Sequence, residues 1–156
     1  MAETKYGKYI VTKPVNMPAG ARLAFHTDTF HKSGPPPRPG SGVYLNEDAV
    51  PGCPIYCAIQ RTSEAPEPQP FLEPHKHDEA DEIILFVAAG PDADLGTNVT
   101  FEMGEEGEKH TFSETTAIYV PKGITHGPIW YSPFKEGKEF YLITFLMQSQ
   151  YPFEQD

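Results

Sequence analysis

Residues 73–90 read EPHKHDEADEIILFVAAG: His75 and His77 stand two positions apart, a carboxylate follows at Glu82, and the chain runs on into an apolar segment. In an extended chain successive side chains point to opposite faces, so the two imidazoles share one face. Two imidazoles on one face can converge on a single cation, and a following carboxylate can add an oxygen ligand. Closing such a site takes a further histidine from a neighbouring strand. Residues 121–128, PKGITHGP, offer one: Pro121 and Gly123 make a turn, and His126 follows it. Pro fixes φ on the way in and Gly permits the φ values a tight turn requires. Glu79 is the rival oxygen ligand. Glu82 is preferred because it opens the apolar strand, where a sheet holds its backbone, while Asp78, Glu79 and Asp81 fall in a turn facing water.

Outward from this stretch the chain reads as strands and turns. Residues 83–87 are apolar on both faces, which predicts a central strand buried on both sides. With Glu82 turned to the ion, Ile84 and Phe86 line the same cavity. Upstream, residues 54–62 form a strand with Ile55, Cys57 and Ile59 on one face, and EAPEPQP (64–70) is an acidic connection. Downstream, GPDADLGTN (90–98) reads as a solvated loop without the ligand spacing of a calcium site. Val99, Phe101 and Met103 alternate as a strand; GEEGEK (104–109) is a hairpin turn, and residues 110–112 begin the return. Residues 117–120 deliver the chain to Pro121. Beyond the turn, His126, Pro128 and Trp130 share one parity, which aims Trp130 at the ligand cavity if Pro128 leaves the strand regular. Residues 140–147 give the clearest strand of all. About eight to ten strands with regular turn signals, and no amphipathic helix, argue for an all-β class, closed or sandwich-like.

The whole-chain quantities fit one such domain. At 156 residues the chain is long enough to bury a real core. Twelve basic against 22 acidic residues give a formal charge of -10, which repels nucleic acid and anionic membrane. The longest apolar run, Ile83 to Ala89, is far shorter than the roughly 20 residues of a membrane span. The start, MAETKYGKYI, lacks the apolar core of a secretory signal, so the expected location is cytoplasmic. Cys53 and Cys57 are the only cysteines and have no second pair to make a zinc site, so they read as reduced, partly buried thiols. Residues 1–50 read as an N-terminal arm packing on the barrel: a short strand at 6–11, a stiff GPPPRPGSG connector at 34–42, and His26 and His31 as surface or packing residues. The main domain is expected over 51–150, and residues 151–156 form a polar tail.

The two segments, His-x-His-x4-Glu and Pro-x-Gly-x2-His, resemble the two signature motifs of the cupin superfamily. The resemblance spans about residues 53–147. It implies a conical jelly-roll β-barrel, with His75, His77 and Glu82 as the first-motif ligands of one divalent metal and His126 as the second-motif ligand. The sequence departs from the family pattern at Gln69, Thr115 and Ala89, which stand where Gly is usual, and at Trp130, which replaces Asn. Three imidazoles and a carboxylate suit Fe, Mn, Ni, Co or Zn, and leave an octahedral ion two open positions for a small-molecule ligand. The absence of a cysteine ligand argues against a closed structural zinc site. The expected function is therefore that of a metalloenzyme acting on a small oxygenated organic molecule, of dioxygenase, isomerase or lyase type. The alternative is a non-catalytic small-ligand-binding or sensing protein. Tyr119, Trp130, Glu102 and His110 are the remaining pocket candidates. The resemblance also implies a homodimer formed through sheet edges.

Overall fold

A computed structural model describes residues 42–47, 49–65, 70, 71 and 74–148. Among them run eight strands and no helix: β1 (Gly42–Leu45), β2 (Tyr56–Thr62), β3 (Glu82–Ala88), β4 (Asp94–Met103), β5 (Glu108–Glu114), β6 (Thr116–Val120), β7 (His126–Tyr131) and β8 (Phe140–Leu146). No helix of the described residues is long and apolar enough to cross a membrane. The strands make two antiparallel sheets, one of five in the order β1-β2-β8-β3-β6 and one of three in the order β5-β4-β7. The expected 6–11 strand, His26, His31 and the 151–156 tail lie outside the described residues. Residues 42–45, within the expected arm, form β1 and pair with β2.

Alternation along the strands divides the five-stranded sheet into two faces. Glu82, Ile84 and Phe86 of β3 are buried, and so are Phe140, Leu142, Thr144 and Leu146 of β8. They sit opposite one another in the ladder, Glu82 against Leu146 and Phe86 against Leu142, so one parity of both strands faces the second sheet. There Leu95, Val99 and Phe101 of β4 and Ile129 and Tyr131 of β7 close a single apolar core with Ile84, Phe86, Val120, Phe140 and Leu142. Phe86 packs obliquely, Tyr131 edge-on and Phe134 face to face against Phe140, with ring centroids 5.5–5.8 Å apart. Burying a phenyl ring in this way stabilises the fold by about 2–3 kcal/mol.

The expected burial of both faces of β3 and the expected loop at 94–98 are corrected here. β3 is central, between β8 and β6, but its Ile83, Leu85 and Val87 are only half-buried on the opposite face. On β2 the inward residues are Tyr56, Ala58, Gln60 and Thr62, leaving Ile59 exposed. The stretch 94–98, read as loop, is the first half of β4. Leu95 is fully buried, Gly96 takes a positive φ, and Thr97 Oγ1 donates to the Ser132 carbonyl at 2.6 Å. The register against β5 shifts between Asp94 and Val99. The shift hides the strand from a period-two reading, because a bulge interrupts the alternation.

Candidate metal centre

The site forms where the edge strand β7 of one sheet faces an interior strand, β3, of the other. Glu82 opens β3, pinned between Val120 and Leu146 in an unbroken ladder. The histidines come from the other side. His75 and His126 form an antiparallel bridge: the His75 amide donates to the His126 carbonyl at 2.9 Å, and the His126 amide donates to the His75 carbonyl at 2.8 Å. The turn between the motifs is tied to the first of them, with the Gly123 amide donating to the His77 carbonyl at 2.7 Å. Asp81, expected in water, is half-buried and acts as a clasp. Its Oδ1 accepts the Lys122 amide at 2.9 Å, its carbonyl accepts the Met147 amide at 3.1 Å, and its carboxylate hydrogen-bonds Tyr119, raising the pKa of that phenol.

His75, His77, Glu82 and His126 each offer one ligand atom, and these atoms all lie within 4.8 Å of one another. His77, Glu82 and His126 are buried, and His75 is half-buried, so the cluster meets the surface on the His75 side. Ring centroids of His75 and His126 are 4.2 Å apart, and Phe101 stacks on His126 at 6.3 Å. Glu82 Oε2 lies 2.7 Å from His126 Nε2 and 3.4 Å from His77 Nε2. Burial pushes the Glu82 carboxyl up more than any other single influence. The hydrogen bonds and charge of His126 and His77 together outweigh it and bring its pKa down to about 2. Glu82 is therefore an anion at neutral pH.

Proton accounting tests whether these residues suit a metal. His126 Nδ1 lies 3.0 Å from the Ile124 carbonyl, which can only accept, so Nδ1 carries the hydrogen. In the neutral form this tautomer turns a bare Nε2 lone pair toward a carboxylate oxygen. Both atoms are buried and at contact distance. Two lone pairs so placed need a cation or an added proton between them. A histidine whose second nitrogen is held by a backbone carbonyl is the arrangement that orients a metal-ligating imidazole. The residues fit a divalent ion.

Of the two carboxylates weighed, Glu82 is in the cluster and Glu79 is exposed in the turn. Ile84 and Phe86 follow Glu82 on the inward face, where both belong to the packed core. Trp130 and Tyr119 are corrections. Trp130 is 39% exposed on the outer face of its sheet, opposite Thr100. Along β7, Ile129 pairs with Phe101 but His126 with Met103, so three steps on β7 match two on β4. That bulge, at Gly127 and Pro128, inverts the parity between His126 and Trp130. Tyr119 pairs with Ile83 on the outer face and is 58% exposed. His110 is exposed beside Glu108, and Glu102 lies near Lys109, both away from the cluster. Met103, half-buried opposite His126, borders the site and was not singled out.

No family model and no curated protein sequence matches the chain. It is similar in fold to a solved structure of a protein from Bacillus halodurans, with 11% identity, a TM-score of 0.48, and 89% of this chain and 86% of that one covered. A cupin protein from Bacteroides fragilis gives 10% identity, a TM-score of 0.44, and coverage of 74% and 82%. The polyketide cyclase RemF from Streptomyces resistomycificus gives 15%, 0.46, and coverage of 67% and 62%. The similar structures thus include one described as a cupin protein. What the site can do is set by its four side chains.

Proposed function

We propose that this chain is a cupin-type jelly-roll protein that binds one divalent transition metal through His75, His77, Glu82 and His126, and acts on a small oxygenated organic molecule. The observation that carries the metal is the His126–Glu82 contact: a lone pair and an anion at 2.7 Å inside an apolar wall, with the far nitrogen of the ring held by Ile124. When bound, an ion with this nitrogen and oxygen set supplies Lewis acidity and open coordination positions. The chain's own residues do the rest. Ile124 keeps His126 in one tautomer. Val120 and Leu146, flanking Glu82 on the inward face, exclude water from the carboxylate and strengthen its interactions. The half-buried His75 marks the side from which a ligand enters.

A second reading, ligand binding or sensing without turnover, is favoured by one observation. Tyr119, Trp130, Glu102 and His110, the expected sources of an extra acid or base, all lie away from the cluster. Both readings require the metal, so the first experiment is elemental analysis of freshly purified protein, with the bound small molecule identified by mass spectrometry in the same sample. One equivalent of a transition metal is expected in the wild type and in Glu79→Gln, and less than about a tenth in His75→Ala combined with His126→Ala, since each lost ligand lowers affinity at least tenfold. Full retention by the double variant would overturn the assignment. Oxygen consumption with Fe(II) would then point to oxygenase chemistry, and turnover without oxygen to isomerase or lyase chemistry.

A further inference from the structure

Polarity divides the interior of the fold. Among the described residues the packed apolar core draws on β3, β4, β6, β7 and β8, and takes nothing from β2. On the inward face of β2 and β8, by contrast, Gln60, Thr62 and Thr144 are buried polar groups. They adjoin the candidate metal centre in register. Glu82 stands opposite Leu146, so Thr144, two residues back on the same face of β8, is its diagonal neighbour, about 7–8 Å away. The small Ala58 flanks Thr144 on β2, and Gln60 follows it on the same face. Apart from the ligands themselves, the buried polar residues are Asn46, Gln60, Thr62, Thr97 and Thr144, all neutral. The cations of the described residues are committed elsewhere. Arg61, Lys76, Lys109, Lys135 and Lys138 each meet a carboxylate outside the cluster, and Lys122 is exposed.

Resting on the metal reading above, we infer that the ligand carries a single negative charge, on the group that chelates the ion, and an uncharged body whose hydroxyl, amide or carbonyl meets Thr144. Charge sets the first condition. A divalent ion with Glu82 and three neutral imidazoles keeps one positive charge, which one anionic chelating group cancels. A second anion inside the fold would face only neutral groups among the described residues, and a buried charge without a partner is far costlier than a buried neutral polar group. The net charge of -10 opposes it at long range as well. Hydrogen bonding sets the second condition. A threonine hydroxyl both donates and accepts, so it matches a neutral oxygen or amide on the ligand. 2-Hydroxy and 2-oxo acids with an uncharged tail meet both conditions. Dicarboxylates and phosphates do not.

The full chain, stripped of metal and reloaded with Co(II), provides the test, because the visible absorption of the ion reports a ligand joining it. Malate is compared with its 4-amide, which has the same shape and one charge fewer, and with 2-hydroxypentanoate, which lacks the polar tail. At pH 7 the amide is expected to bind about 100-fold more tightly than malate, or better. Thr144→Val should weaken the amide about tenfold while leaving 2-hydroxypentanoate and the bound metal unchanged, and Thr144→Ser should restore the amide. Failure to take up Co(II) overturns the metal reading and this one with it. Uptake of Co(II) without a preference for the amide over malate overturns the present proposal alone. So does a Thr144→Val protein whose responses to the two neutral-tailed acids fall together or not at all.

Discussion

β3 and β7 each present one ligand to the same point in space, and they do so in opposite ways. β3 is straight, hydrogen-bonded on both sides without a register shift, and Glu82 is the first rung of that ladder. β7 is bulged: His126 sits before the irregularity, and Ile129 and Tyr131 after it. In β3 the residues that hold the ligand are also the core, since Ile84 and Phe86 follow Glu82 on one face. In β7 the aim of the ligand is set by backbone, through the bridge to His75, the Ile124 carbonyl and the turn at Gly127. Side-chain packing fixes one half of the site and main-chain geometry the other. Damage to the two halves should therefore appear in different measurements.

The largest effect expected on this basis comes from Phe86→Ala. Phe86 is fully buried and in ring contact with Phe112 and Phe140. Removing a ring from such a core costs about 3–5 kcal/mol, or about 10 °C in Tm for a domain of this size. Metal stoichiometry measured below the unfolding transition should remain at one, because Glu82 is held by the ladder. A variant that keeps its Tm would mean the interior relaxes around the lost ring, and one that folds but loses the ion would tie aim to packing after all.

Gly127→Ala attacks the other half. Gly127 has φ +80°, a conformation that costs an L-residue about 1–2 kcal/mol. The smaller loss of stability should come with the larger loss of metal. Any shift of the bulge to relieve the strain moves His126 relative to Glu82, and about 1.4 kcal/mol of weakened ligation is a tenfold rise in Kd. Titrating the metal-stripped protein with Co(II) or Ni(II) reads this directly. Equal affinity for Gly127→Ala and wild type would show that the bridge to His75 alone aims the ring.

The same contrast explains what the sequence disclosed. The His75–His77 pair was legible from its spacing, the choice of Glu82 over Glu79 from its place at the head of the apolar strand, and the inward pair Ile84 and Phe86 from alternation, which holds wherever a ladder is unbroken. His126 was legible from the turn before it. Trp130 was not, because one extra residue at Gly127 and Pro128 inverts every side chain beyond it. The first half of β4 was hidden for the same reason, its residues 94–98 lying inside a register shift with Gly96 at positive φ. Tyr119 failed differently. It was a pocket candidate, and only the pairing of β6 with β3 shows that it sits opposite Ile83, on the face away from the cluster. The clasp made by Asp81 depends on Lys122 and Met147 approaching from distant segments, which no local pattern encodes.

The smallest effect, and the most direct reading of the bulge, comes from the lone tryptophan. Trp130 is the single Trp of the chain, so its emission reports one position. If β7 were regular from His126 onward, the indole would share the ligand's face, in the apolar interior, with blue-shifted emission, little quenching and a response to the ion. The bulge instead places it on the outer face opposite Thr100, 39% exposed. Acrylamide is the quencher to use, because a chain of charge -10 repels iodide. We expect ready quenching in the folded protein and no change on loading with diamagnetic Zn(II), since nothing in the cluster touches the ring. Gly127→Ala should leave this signal in place if the bulge survives the substitution. If the substitution erases the bulge, the indole turns inward and becomes protected, and the same measurement then shows a strand whose parity has been reversed by a single methyl group.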